Sequence, residues 1–411
     1  MRIVVVWATL SALAYPGTAS SQPQPLSLTE PEALARLSAD SPRVRAIRAS
    51  IDLARADVLA AGRWPNPRVT VDRESAAGNT EYLTMVGQLL PITGQRRLQT
   101  EAASALVDAA SSRADDAIRR ARADLKWAFA QLAAAQARER ELTAARDRLR
   151  DLAGILSKRE EAGDAAGFDR LRAEREVLDV DTDRATTATE RARAQATLAA
   201  FFAEPVDSTR LVAVIPDGRA AAALPTVEAL VETGESSRGE LAAFRKEAAA
   251  AQLSSHAADR RRLPEPEVIA GTKSSSLAGG DIGSVVTVQA VIPLFDHGAI
   301  ERAIAKARVS QAEAAAVAFH TSLRADISAL RTAVVERRET AARYRATAVP
   351  SADQLERIAQ VSYDAGERGI LELLDAYRSG ATARIRQAVL DSAVRQAEIE
   401  LEYVSGWEIP Q

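Results

Sequence analysis

The chain is 411 residues long with a net charge of −3; 27% of its residues are charged and 4% are aromatic. That balance leaves no basic footprint for nucleic acid. The absence of any cysteine excludes disulfides, thiolate metal sites and a lipid-modified N-terminal cysteine. An alanine-rich apolar fraction with few aromatics suits long, closely packed helices rather than a thick globular core, and the many Arg/Glu pairs read first as solvated helix faces.

The N-terminus opens with Arg2 and an apolar run, residues 3–14, followed by the small residues of "YPGTASSQ". This predicts a secretory signal peptide over residues 1–20, too short to span a bilayer. Residues 21–28, rich in Pro, Gln and Ser, read as a flexible lead. No later segment has the length of uninterrupted apolar residues that a transmembrane helix needs. An exported chain without disulfides or lipid is periplasmic, secreted or an outer-membrane barrel.

The mature part reads as a duplication. The first repeat, residues 29–204, opens with short helices in "TEPEALARLSADSPRVRA", passes "RWPNPRV", and forms strands over residues 68–75 and 81–90. A hinge, "LLPITGQ" with Pro91 and Gly94, leads into a helix over residues 94–161, which would extend about 100 Å at 1.5 Å per residue. A reversal containing Gly163 and Gly167 leads to a return helix over residues 168–202. A linker without clear period follows at residues 205–225.

The second repeat, residues 226–408, echoes these landmarks in order, at an offset near two hundred residues. "TVEALVETGESSRGELA" gives short helices, "RLPEPEV" precedes strands at residues 267–276 and 283–292, and "VIPLFDHG" carries the hinge Pro293 and Gly298. A helix over residues 298–365 contains Pro350, which should kink or divide it. Gly366 and Gly369 mark the second reversal, before a return helix over residues 370–403. Asp296 is placed to cap the first amides of the long helix. Ala-rich seams, such as Ala102, Ala105 and Ala109, allow close helix approach as in antiparallel coiled coils.

Each strand has nearly the length of a tilted membrane-crossing strand. Val69 and Val71 alternate with Arg68, Thr70, Asp72 and Glu74; Val286, Val288 and Ala290 alternate with Thr287 and Gln289; Leu83, Met85 and Leu89 alternate with Thr84 and Gln88. Apolar-out, polar-in alternation marks a membrane barrel with a wet lumen, and it also fits a soluble sheet with one wet face. Four strands cannot close around water, and an open edge is not tolerated in lipid. Strands that span a membrane would therefore have to be shared, and three copies would supply twelve.

With "PLFDHG" at residues 293–298 and "YDAGERGILELLDA" at residues 363–376, the duplicated order resembles the outer membrane factor (TolC-like) family of efflux and export ducts. The resemblance implies a mainly α fold with a small β part. Four strands per protomer would contribute to a shared twelve-stranded trimeric β-barrel above a periplasmic α-helical barrel. It implies a homotrimer in the outer membrane, in contact with its lipid, with a periplasmic adaptor and an inner-membrane pump, RND-type, as partners. "NPRVTVDRESAAG" and "GQRR" resemble the heavy-metal (CzcC-type) branch, so the expected cargo is heavy-metal cations. A duct for drug efflux or type I protein secretion, and a non-transport periplasmic coiled-coil scaffold, are the alternatives.

No nucleophile elbow, Walker loop or zinc motif occurs, so no enzyme activity and no cofactor are expected. His256, His297 and His320 lie far apart without ligand spacing, and read as solvated or packed. The candidate functional residues are those of a periplasmic gate. Glu372 and Asp375, three apart on one helix face, would form stacked acidic rings about a threefold axis. The resemblance adds Tyr363 and Arg368 as inter-helix latch residues and Asp169 as their acidic partner. Without the resemblance, these residues read as ordinary exposed helix-end charges.

Overall fold

The structure is a computed structural model, and it describes residues 24–76, 78–162, 167–216, 222–276 and 281–409. The signal-peptide segment, Gly163 and most of the loop at residues 277–282 lie outside the described residues. In order, the elements are β1 (Leu26–Leu28), α1 (Glu30–Ala35), α2 (Pro42–Gly62), β2 (Arg68–Ala76), β3 (Asn79–Leu89), α3 (Gln95–Glu161) and α4 (Gly167–Ala199). After a 3-10 turn at Ser208–Arg210 come β4 (Leu211–Ala213), α5 (Val227–Ser237), α6 (Gly239–Arg260), β5 (Pro266–Ser275), β6 (Ile282–Ala290), α7 (Ala299–Asp364) and α8 (Ile370–Ser405).

The 67-residue α3 and 66-residue α7 each extend about 100 Å. Both begin at a glycine in the left-handed region, Gly94 at φ 77° and Gly298 at φ 76°, a conformation that a side chain would strain. At Gly298 a Cβ would also lie 2.3 Å from the Ala258 carbonyl oxygen, so the hinge admits no other residue without moving α6. Asp296 does not cap the first amides as its position suggests. Gly298 is the N-cap, and the Asp296 carboxylate instead accepts from the Gly298 N–H at 3.5 Å and lies 3.7 Å from Arg261.

α7 runs undivided through Pro350. The proline removes one rung of the helix, a cost of about 3 kcal/mol. Burial of Val334 and Ala341 before it, and Ala352 and Ala359 after it, holds both sides in register.

α3 is the spine of the molecule. It packs against α2, α4, α6 and α8, while α7 packs against α5, α6 and α8. One face of α3 puts Leu125, Phe129 and Leu132 into a core with Leu198, Phe201, Phe202 and Leu211. An adjacent face meets α8 through Ala123, Ala130 and Ile399. The second repeat has a corresponding core of Leu230, Leu323, Ile327, Val334 and Leu401.

Two short strands depart from the sequence expectation. Leu26–Leu28 lie within the stretch read as a flexible lead, and Leu211–Ala213 within the linker, yet they pair in parallel as β1 and β4. Leu28 and Leu211 are buried in the first-repeat core, which supplies the apolar area that fixes three-residue strands.

β2, β3, β5 and β6 form one antiparallel sheet in that order, with β2 and β6 at its edges. Directly paired residues share a face. The register therefore groups Val69 and Val71 with Tyr82, Thr84 and Val86, then Val268 and Ala270, then Val286 and Val288. The opposite face carries Thr70, Asp72 and Glu74, Glu81, Leu83 and Met85, then Gly271, Lys273, Val285 and Thr287. The expected outward set on β3 is thus corrected: Leu83, Met85 and Leu89 stand on the charged face, where Leu83 opposes Asp72 and Lys273 and Leu89 opposes Glu267. Lys273 bonds Glu81 at 2.7 Å on that face.

Candidate functional site

The two helical hairpins end together. Leu149, Leu152 and Leu156 of α3, Ala173 of α4, Ala359 of α7, and Ile370, Leu373, Leu374 and Ala376 of α8 make one buried cluster at the reversals. The tips are therefore a packed unit, in which a movement of the α7–α8 hairpin is felt by α3.

The sequence-named residues surround this cluster. Tyr363 packs against it, and Arg159 of α3 lies 5.6 Å from its ring centroid and donates to its hydroxyl at 3.4 Å. Gly366 turns the chain at φ 72°, whereas Gly369 has ordinary extended backbone as the N-cap of α8. Gly167 is the first residue of α4. Glu372 and Asp375 are exposed on α8, on the side away from buried Leu373, Leu374 and Ala376. The Glu372 carboxylate lies back over Gly369, where the amides and dipole of the helix start favour negative charge. Asp169 is half-buried in the first turn of α4 and Arg368 is exposed. Among the described residues neither makes an ion pair within the chain, so any Asp169–Arg368 contact would have to join different protomers or arise on a change of shape.

A second charged centre, not read from the sequence, lies above the tip. Glu356 of α7 accepts from Arg148 of α3 at 2.9 Å and from Arg384 of α8 at 2.7 Å. Arg384 also reaches Asp353 at 2.6 Å and Glu141 of α3 at 3.1 Å. Burial works against the charge of Arg384, but Glu356, Asp353 and Glu141 outweigh it and hold its pKa above the ordinary arginine value. Glu356 fits because Gly380 faces it: a Cβ there would lie 1.6 Å from its carboxylate oxygen. Near it, the Tyr377 hydroxyl donates to Gln360, and burial pushes the Tyr377 phenol pKa up. A glycine inside a long helix was the one available signal of this clamp.

A third centre ties the repeats at mid-height. Arg395 of α8 bonds Glu30 of α1 at 2.6 Å and Glu402 at 3.2 Å, and Lys126 of α3 bonds Glu402 at 2.6 Å. Burial opposes the charge of Arg395, while Glu30 and Glu402 more than compensate and raise its pKa. Among the described residues no group of three or more His, Cys, Asp or Glu converges as a metal site, and no helix is long and apolar enough to cross a membrane.

Four antiparallel strands set on two long helical hairpins recur in solved proteins. A membrane protein from Pseudomonas aeruginosa matches with a TM-score of 0.75 at 18% identity, over 92% of this chain and 92% of that one. The outer membrane protein VceC from Vibrio cholerae matches at 0.73 and 17% identity, over 92% and 96% of the two chains. The open-state MtrE outer membrane channel of Neisseria gonorrhoeae matches at 0.71 and 17%, over 92% and 88%. The fold is that of the outer membrane efflux channels. The family model described as outer membrane efflux protein matches residues 230–406, the second repeat of this efflux-channel fold. Comparison with curated proteins found no match.

Proposed function

We propose that this protein is the outer-membrane exit duct of a tripartite efflux system, working as a homotrimer with a periplasmic adaptor and an inner-membrane pump. The observation that carries the reading is the sheet. Its four strands have two open edges, one face made largely of Val, Ala, Thr and Tyr with Arg73 over the Tyr82 ring near the loop end, and an opposite face bearing Asp72, Glu74, Glu81 and Lys273. A sheet with an apolar outside and a charged inside is stable in lipid only when closed, and closure by three copies gives a barrel wide enough for water. Exposed apolar residues on edge helices, Leu171 and Leu178 on α4 and Leu355 and Ile358 on α7, favour the same lateral assembly of the helical part.

In this reading the tips form the gate. Glu372 and Asp375, tripled about the axis, attract cations and repel anions at the constriction. Tyr363, Arg368 and Asp169 hold neighbouring hairpins, and separation of the hairpins opens the path. The ring charge favours cationic cargo, and the likeness of residues 66–78 and 94–97 to the heavy-metal branch narrows it to heavy-metal cations. Purified protein tests the duct: it should require detergent, run as a trimer, and shift in gel mobility on heating. A chain that is soluble and monomeric without detergent would overturn the reading. A deletion strain with unchanged metal tolerance would overturn the metal cargo alone.

A further inference from the structure

Level with β4, where the Ala213 N–H donates to Gln136 of α3 at 3.2 Å, the wall of helices is almost free of acid. Two recesses show which residues share this level. One, of about 350 Å³, brings Ala134 and Ala137 of α3 to Ala388 and Asp391 of α8 and to Arg345 of α7. The other, of about 490 Å³, brings Trp127, Gln131 and Arg138 of α3 to Arg193 and Thr197 of α4 and to Ser392 of α8. Across this level, residues 131–138, 191–199, 340–350 and 386–396, the sequence holds one acid, Asp391, and it pairs with Arg345. Arg138 and Arg191 find Glu190 and Glu139 at its border, each at 2.7 Å, and Arg395 pairs with Glu30 at 2.6 Å. Arg193, Arg343 and Arg386 are exposed, and among the described residues they make no ion pair.

The three arginines share one side of their helices. The other side carries the small elements. Gln195 of α4 donates to the Leu211 carbonyl of β4 at 2.8 Å, Arg395 of α8 reaches Glu30 of α1, and Arg338 of α7 donates to the Ala222 carbonyl of the linker at 2.7 Å. At about 100° per residue, Arg193 lies roughly 160° round α4 from Gln195, Arg386 roughly 180° round α8 from Arg395, and Arg343 roughly 140° round α7 from Arg338. Asp375 stands on the same side of α8, roughly 20° from Arg386 and about 16 Å nearer the tip. In a closed wall one helix thick, β1, β4 and α1 lie outside so that the lumen stays open. The side of the arginines and of Asp375 is then the lumen.

We propose that Arg193, Arg343 and Arg386 of three copies form an anion-binding band in the lumen above the acidic ring, and that these opposite fixed charges in series make the duct rectify, passing cations outward more readily than inward. The proposal rests on the duct reading and adds a second charged zone to its gate. Unpaired guanidinium groups around a lumen concentrate anions and repel cations. A negative zone in series with a positive one acts as a bipolar junction. A voltage that drives cations in through the acidic ring and anions in through the band fills the stretch between them with both ions. The reversed voltage empties that stretch, and the current falls. The filling polarity carries cations from the tip towards the sheet, the direction of efflux. The narrowest point stays at the acidic ring, so the band sets direction and leaves the overall preference for cations to Glu372 and Asp375. The recess that Arg193 shares with Trp127 suits a flat aromatic polyanion, with the indole beside the ring system and the guanidinium beside its charge.

Current–voltage curves of the full-length protein in a planar bilayer test this. Protein added to one chamber keeps its long polar helices on that side, so the tip side is known. In about 0.1 M potassium chloride, where the Debye length is about 10 Å, the current with the tip side positive should exceed that at the opposite polarity about two-fold or more. In about 1 M salt, where the Debye length is about 3 Å, the ratio should approach one. Arg193→Gln, Arg343→Gln and Arg386→Gln together should abolish the asymmetry, and the corresponding Arg→Lys triple should keep it. Asymmetry that survives in the glutamine triple comes from the shape of the duct and overturns the proposal. A linear curve in the parent overturns it too, and leaves the duct standing. A parent that conducts at neither polarity overturns the duct reading itself. Pyrene tetrasulfonate added on the sheet side should block the parent several-fold more strongly than the glutamine triple, and equal block overturns the band as the binding site. If the triple does not assemble, Arg343→Gln and Arg386→Gln taken singly should each lower the ratio, and an unchanged ratio in both overturns the proposal.

Discussion

The Arg238 guanidinium, 7% exposed, donates to both carboxylate oxygens of Asp116, at 2.9 and 3.2 Å. Arg238 lies at the α5–α6 junction of the second repeat and Asp116 on α3 of the first, so this pair bolts the two halves together. The Tyr403 hydroxyl joins it, donating to Asp116 at 3.3 Å, and the guanidinium lies 4.8 Å from the Tyr403 ring centroid and 5.0 Å from that of Phe319. Burial raises the Tyr403 phenol pKa, and the Asp116 charge acts in the same direction.

Removing Asp116 leaves the buried Arg238 with only the exposed Glu240, 3.6 Å away, as counter-charge, and breaking a buried pair costs about 3–5 kcal/mol. Asp116→Ala should therefore lower the thermal midpoint of the helical circular-dichroism signal markedly. Asp116→Ala combined with Arg238→Met, which removes both charges, should recover part of that loss. An Asp116→Ala protein as stable as the parent would show that the pair holds nothing.

The face assignment of the sheet separates two substitutions that a plain reading of hydrophobicity treats alike. Val286 stands on the apolar face and Leu83 on the charged one. An arginine facing lipid near mid-bilayer costs about 2–4 kcal/mol per protomer, and an arginine facing a wet lumen costs far less. Val286→Arg should cut the yield of heat-modifiable trimer, while Leu83→Arg assembles normally. The reverse order would mean that β3 is out of register.

Much of the fold was legible because the chain repeats itself. Pro91 with Gly94 and Pro293 with Gly298 fixed the strand-to-helix changes, and the long helices end within a few residues of where Gly and Pro punctuate the sequence. The face of β3 was not legible. Leu83 and Met85 alternate as a lipid-facing set would, and only cross-strand pairing with Asp72 and Lys273 reveals the opposite. The β1–β4 pair escaped because three-residue strands nearly two hundred positions apart leave no periodic signal. Glu356, too, shows its role only through Arg148 and Arg384, contributed by two other helices.

The Glu356 clamp should resist separation of the α7–α8 hairpin from α3. Gly380→Ala displaces its carboxylate, the free end of a flexible side chain, without touching the buried cluster at the tip. Gly380→Ala and Glu356→Gln should each raise the resting conductance of the reconstituted channel. Unchanged conductance in both would detach the clamp from gating.

For the acidic ring, Glu372→Gln with Asp375→Asn should reduce cation over anion permeability, measured from the reversal potential in a salt gradient. The effect should shrink as ionic strength rises and the Debye length falls. Equal selectivity in parent and variant would place the constriction elsewhere.

The central claim is that three copies close one barrel to make a pore, and single-channel recording of the detergent-purified protein in a planar bilayer tests it most directly. A trimer by mass that gives discrete, cation-selective conductance steps is the predicted result. A monomer that inserts no conductance at any voltage would contradict it.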